Sequence, residues 1–196
     1  NNHLKPLGAL GKSIISHLAF LIALVYAYNL QAQQEDQRDY YKWFDDQVGI
    51  ENTGLFNGIR YKELYRIKNG KHKFYKSPEY QTSNLWYDGQ PYYDIPLKYD
   101  LFEDQLIISL QTDSGSSIIQ LLKEKVTGFQ LDEKQFVHLR GIEVFKSNDQ
   151  VDGFYEVLEE GSSLTLYKKH RKLSKKVLEN KAVLYEFRND DLYYIL

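Results

Sequence analysis

At 196 residues, with 27 % charged side chains and a formal net charge of −2, the chain suits one domain with a sizeable core and carries no global field for nucleic acid. It has no cysteine, which excludes disulfides, thiol catalysis and Cys-ligated zinc. Tyrosine is the compositional anomaly, with 17 copies against 2 tryptophans. Its apolar ring and wet hydroxyl suit half-buried strands, and also protein or glycan contact surfaces.

Residues 1–32 read as a signal peptide. Lys5 and Lys12 form a basic start without acids, Leu18 to Tyr28 is an apolar run, and Leu30-Gln31-Ala32 offers a small residue before a cut. The unbroken apolar run is about half of what a spanning helix needs. Cleavage after Ala32 gives an exported protein of the periplasm or cell envelope; the alternative is an uncleaved signal anchor that tethers it to the membrane. The remainder carries 23 basic and 27 acidic residues, a net charge of −4.

Residues 33–48 read as a linker or short helix, with Tyr40, Tyr41, Trp43 and Phe44 as an aromatic side that docks on a sheet. From Gly49 the punctuation is regular. Asn57-Gly58, Asn69-Gly70, Asp88-Gly89 and Asp152-Gly153 are all hairpin-type dipeptides. Strands are predicted at Ile59 to Ile67, Lys73 to Tyr75, Leu85 to Tyr87, Tyr92 to Ile95, Leu97 to Leu101 and Leu106 to Leu110. The last of these is almost continuously apolar, as a covered central strand should be. Ser114 to Ser117 reads as a loop. Further strands follow at Ile118 to Leu122, Val126 to Leu131, Gln135 to Leu139 and Ile142 to Phe145, with a reversal at Asp132-Glu133-Lys134. Phe154 to Leu158 and Ser163 to Tyr167 form a hairpin. Ala182 to Phe187 is predicted to pair with Leu192 to Leu196 across Asn189-Asp190-Asp191, and Ser174 to Asn180 is a candidate second helix.

Short strands at this spacing indicate an all-β domain over residues 49–196: an antiparallel meander forming a twisted open sheet or a partly open barrel or sandwich, after a short N-terminal helix. The chain stops inside the last apparent strand, which reads as truncation at the C-terminus. The predicted core includes Leu101, Leu106, Ile108, Phe129, Leu131, Val157, Leu166 and Tyr185.

The Leu-Gln-Ala-Gln end of the leader, with Gly54 to Gly58, Tyr92-Tyr93-Asp94, Lys98-Tyr99-Asp100 and Asp104-Gln105-Leu106, resembles a group of uncharacterised exported proteins of Bacteroidota. The resemblance implies an envelope location and a β-rich fold, and transfers no catalytic residue.

Chemical motifs are scarce. No nucleophile elbow, phosphate loop or His-Glu-x-x-His occurs, and no cofactor, metal or catalytic residue is expected. His138 reads as a sheet-face histidine, His72 and His170 as solvated loop residues. Asp100, Glu103 and Asp104 are the nearest approach to a carboxylate constellation and read as a solvated turn. The sharpest charge run is Lys168, Lys169, Arg171 and Lys172, continued by Lys175 and Lys176. It reads as a basic loop, either simply solvated or in weak contact with an anionic membrane or glycan surface. Three functions stay open: a non-enzymatic module binding an envelope protein or glycan through a Tyr-rich sheet face, a half-barrel carrier of a lipid or other apolar ligand, and a hydrolase with a dispersed carboxylate site.

Overall fold

The computed structural model describes His17, Leu21, Ile22 and residues 37–112, 115–143 and 150–196. The leader reading of residues 1–32 therefore lies almost wholly outside the described residues. The chain divides into two units, Asn1–Trp43 and Phe44–Leu196. Residues 37–48 are helical, as the short-helix reading of this stretch expects.

The larger unit is all-β. Its strands are β1 (Ile59–Arg60), β2 (Gln81–Tyr87), β3 (Gln90–Asp100), β4 (Gln105–Thr112), β5 (Gly115–Gln120), β6 (Val126–Leu131), β7 (Lys134–Glu143), β8 (Gln150–Glu160), β9 (Thr165–Lys169), β10 (Lys172–Glu179), β11 (Ala182–Asn189) and β12 (Leu192–Ile195). Ten of them form one open antiparallel sheet in the order β1-β5-β4-β3-β2-β6-β7-β8-β9-β12, while β10 and β11 pair separately. The large sheet is two meanders, β2–β5 and β6–β9, joined where β2 pairs with β6.

Local chemistry accounts for several joints. Asp88 and Gly89 both take positive φ (52° and 80°) and link β2 to β3 in the two-residue turn that the dipeptide predicts. Asp132 and Glu133 (51° and 60°) do the same between β6 and β7. Lys134 and Leu131 are the flanking partners. The predicted strands at Tyr92 to Ile95 and Leu97 to Leu101 are one long strand, β3, with Pro96 exposed within it.

Five readings need correction. Residues 174–180 are strand and turn, not helix: Asn180 and Lys181 adopt positive φ (50° and 62°) and close the β10–β11 hairpin. Consequently β11 pairs with β10, and β12 returns to the edge of the large sheet beside β9. Asp152-Gly153 is no turn but lies inside β8, and Gly115 to Ser117 belong to β5 rather than a loop. Of the predicted strand 59–67, regular pairing survives at Ile59–Arg60 and an isolated bridge at Ile67; residues 61–66 leave the ladder to place side chains described below.

The core lies on the inward face of the two meanders. Phe129 and Phe136 stack with centroids 4.6 Å apart and planes at 4°. Tyr99 and Phe154 meet Phe129 edge-on at 5.4 Å, an arrangement favoured by ring quadrupoles. Leu85, Leu97, Leu106, Ile108 and Leu131 fill the same face. Alternation along β8 sends Phe154 into this cluster and Tyr155 into a second one with Leu139 and Val151 on the opposite face. Leu101, Leu106, Ile108, Phe129 and Leu131 are buried as predicted; Val157, Leu166 and Tyr185 are only half-buried, being near edges of their sheets.

Candidate functional site

The charged residues singled out in the sequence are where the structure departs most from expectation. Asp100 ends β3, and the turn that follows carries Phe102, Glu103 and Asp104. The turn is not solvated at its two aspartates. Asp100 is 1 % exposed. Its Oδ1 accepts the main-chain N–H groups of Phe102 and Glu103 at 3.0 and 3.1 Å, and its Oδ2 faces Lys73 Nζ at 2.8 Å. Burial raises the Asp100 carboxyl above its ordinary range, and Lys73 with the two N–H groups opposes this without cancelling it.

Asp104, at φ 54°, turns inward to a second cluster. Its Oδ1 lies 2.6 Å from Lys169 Nζ and its Oδ2 2.6 Å from Lys123 Nζ. The Tyr99 hydroxyl donates to it at 2.6 Å, and Lys169 also donates to the Phe154 carbonyl at 3.1 Å. Burial alone would raise the Asp104 carboxyl, but Lys169 and Lys123 hold it below the usual carboxylate range. Burial pushes the Lys169 ammonium down against the pull of Asp104. These tendencies oppose one another; the carboxylate, with two ammonium groups in contact, decides, and the cluster is ionic.

Gly153 makes this cluster possible. A Cβ there would sit 2.2 Å from Asp104 Oδ2 and 2.5 Å from Lys169 Nζ, and its φ of +128° suits only glycine. The same dipeptide that reads as a turn is thus the place where one strand gives way to a buried ion pair.

The basic run is resolved in the same way. It is not a loop: Lys168 and Lys169 end β9, and Lys172, Lys175 and Lys176 lie on β10. Lys168 pairs with Asp191 at 2.9 Å, Lys169 with Asp104, and Arg171 with Asp190. Lys172 Nζ donates to the carbonyls of His72 and Phe74 at 2.7 and 3.0 Å. Lys175 and Lys176 are exposed on a strand whose ladder partner is β11 alone, where lysines discourage edge-to-edge pairing. The acidic turn and the basic run meet in one ion pair, Asp104 with Lys169, while Asp190, Asp191 and two main-chain carbonyls take Arg171, Lys168 and Lys172.

His170, between β9 and β10, is 8 % exposed rather than solvated. Its Nε2 lies 2.5 Å from Glu156 Oε2 and its Nδ1 3.8 Å from Asp191 Oδ2. The Tyr75 ring meets it edge-on at 4.9 Å, and Lys134 approaches Glu156 at 3.3 Å. Burial pulls the imidazole below its ordinary range, and the bond to Glu156 opposes this only in part. A folded-state value below the unfolded one means that the unfolded chain binds the proton more readily, so stability falls as pH drops through about 6.5, the unfolded value. Urea unfolding at pH 7.5 and 5.5 is expected to show a larger loss for the parent than for His170→Gln; equal losses would remove His170 as the cause. His138, as predicted, lies on the sheet, with Nδ1 2.9 Å from the Val126 carbonyl.

No protein family, curated protein or solved structure matches the chain.

A different kind of surface lies at the β1 edge of the large sheet. Phe56, Gly58, Arg60, Tyr61 and Ser116 to Ile119 line a groove of about 480 Å³. Of the lining residues Ile118 and Phe56 are 40 and 39 % exposed, and Ile59, between Gly58 and Arg60 in the chain, is 55 % exposed. Sequence reasoning missed this surface because it treated Ile59 to Ile67 as one alternating strand. It missed Lys73, Lys123 and Gly153 because their partners are distant in the chain. Only Gly153, a glycine between Val151 and the Phe154-Tyr155 pair, carried a local signal of close approach. Among the described residues, no group of three His, Asp or Glu could hold a metal ion, and no helix is long and apolar enough to cross a membrane.

Proposed function

We propose that the chain is an exported cell-envelope module that binds a partner protein through the groove beside β1 and β5. The supporting observation is the pair of exposed apolar side chains that line the groove, Phe56 and Ile118, with exposed Ile59 next to them in β1, beside Arg60 and the Ser116 and Ser117 hydroxyls. Apolar anchors within a polar rim are the usual composition of a protein interface. A glycan would call instead for a row of exposed tyrosine rings at the groove; Tyr75, Tyr87, Tyr92, Tyr99 and Tyr155 are buried, and the exposed Tyr193 lies on β12, at the other edge of the sheet from β1. The inward face of the sheet is filled by aromatic rings in mutual contact, which favours recognition at the surface over enclosure of a lipid. The leader-like residues 1–32 motivate the envelope location, and weak attraction to an anionic surface narrows to the exposed Lys175 and Lys176.

The test is affinity capture from a detergent-solubilised envelope fraction with the full chain, against Ile118→Asp and Ile59→Asp variants of matched circular dichroism. A central apolar anchor carries on the order of 2 kcal/mol, so each variant should weaken binding by at least about tenfold. A partner retained equally by parent and both variants does not use this groove, and the proposal then fails.

A further inference from the structure

Lys73, Asp100 and Glu63 form a triad that the binding role does not use. Lys73 Nζ stands 2.8 Å from Asp100 Oδ2 and 3.1 Å from Glu63 Oε1. The Lys73 and Asp100 side chains are 3 and 2 % exposed, whereas Glu63 reaches solvent at 36 %. Aromatic rings line the amine: its Nζ is 4.8 Å from the Tyr65 ring centre and 5.6 Å from those of Tyr61 and Phe74. The main chain fixes the two reacting residues side by side, with an antiparallel bridge between Phe74 and Asp100 and a 3.0 Å bond from Leu101 N to the Lys73 carbonyl.

We propose that Lys73 and Asp100 condense spontaneously into an intramolecular amide cross-link, with Glu63 as the proton carrier. The geometry supplies each element of an acyl transfer. The nucleophile and the carboxyl are held in contact, which replaces a collision by a positioned encounter. Glu63 is a base within reach of Nζ; burial raises its carboxyl, but bonds from the Tyr61 hydroxyl, the Tyr65 N–H and Lys73 bring it below its ordinary range, so it is ionised and can accept a proton. Asp100 is the better electrophile for being pushed up, since it takes a proton from solvent more readily than an exposed carboxylate. The Phe102 and Glu103 N–H groups already sit on Oδ1, where negative charge would gather in the tetrahedral intermediate.

The steps balance. Glu63 takes one proton from the Lys73 ammonium, and the freed amine attacks Cγ of protonated Asp100, placing the oxyanion on Oδ1. A second proton leaves the nitrogen through Glu63 and reaches Oδ2, which departs as water while the Cγ–Oδ1 double bond re-forms. Glu63 ends protonated and returns to solvent the proton that Asp100 had taken up. In sum, an ammonium and a carboxylate give an amide and water; no electron changes hands and no co-reactant is needed. In a chain without cysteine, such a bond would supply the covalent tie that disulfides cannot, joining the 61–75 segment to the end of β3. By contrast, among the described residues no second carboxylate contacts the Lys169 amine to carry the proton; the neighbour of its pair with Asp104 is Lys123.

The experiment is peptide mapping by mass spectrometry of the purified full chain, digested after denaturation, beside Glu63→Gln and Lys73→Arg. The expected result is a branched peptide in which Lys73 joins Asp100, lighter by one water than its two linear parts, and missing in both variants. Because the branch is internal, it is read in the same way whether or not residues 1–32 have been removed. Linear peptides bearing free Lys73 and Asp100 from folded parent protein overturn the proposal, as does a water loss that maps to another residue or persists in Lys73→Arg. If a variant fails to fold, the map of the parent decides alone.

Discussion

Gly153→Ala is expected to destabilise the domain by about 3–5 kcal/mol, the usual cost of breaking a buried ion pair while leaving its charges inside. The new methyl would occupy the space where Asp104 Oδ2 and Lys169 Nζ now stand, at 2.2 and 2.5 Å. Neither group can step aside cheaply. Asp104 is also tied to Lys123 and the Tyr99 hydroxyl, and Lys169 to the Phe154 carbonyl. The backbone adds strain, since φ of +128° is a region that side chains other than hydrogen rarely enter. Gly70→Ala is the control: φ is +72° and no atom lies within 4 Å of the added carbon, so only the conformational cost of about 1–2 kcal/mol remains. Chemical denaturation of both variants gives the comparison. A Gly153→Ala loss no larger than that of Gly70→Ala would mean that the ion pair tolerates displacement.

Phe136→Ala carries the other large expected effect, about 3–5 kcal/mol for deleting a fully buried ring. Phe136 is 0 % exposed, stacked on Phe129 and met edge-on by Tyr75 at 5.5 Å and Tyr99 at 5.7 Å. Its neighbours come from β3, β6 and the segment before β2, so collapse into the void would require several elements to move together. Tyr193→Ala, at a ring 62 % exposed, should stay within about 0.5 kcal/mol. Equal urea midpoints for the two variants would show that the aromatic stack is not the centre of the core.

The contrast between Asp88-Gly89 and Asp152-Gly153 shows what the sequence could and could not reveal. Both are the same chemistry locally. The first sits between two short apolar runs and makes the turn that its φ preference requires. The second sits within a run long enough to cross the sheet, and its glycine answers to Asp104 and Lys169, which local pattern cannot see. The all-β class, the open meander and most strand positions follow from alternation and turn residues, which act over a few positions. The pairing of β12 with β9 does not, because Asn180-Lys181 is a weak turn signal and its hairpin diverts β11 from the partner that adjacency suggests. The charged clusters were the least legible. Lys168 to Lys172 looked like a surface run because its acids, Asp104, Asp190 and Asp191, lie elsewhere in the chain; a buried charge announces itself only through a partner that the fold supplies.

The junction of the two meanders has a kinetic side. Within β2–β5 and β6–β9 every pairing joins neighbours along the chain, so each closes a short loop at small entropic cost. The β2–β6 pairing must wait until the chain has travelled through three other strands, and it carries the larger closure cost. Two half-sheets can therefore exist before the whole. In that interval Leu85 and Phe129, which face each other across the junction, are both uncovered, and β2 and β6 each present an open edge. These are the conditions under which chains meet one another rather than themselves. The seam is thus the part of the molecule where speed of closure, more than final stability, governs how much protein reaches the folded state.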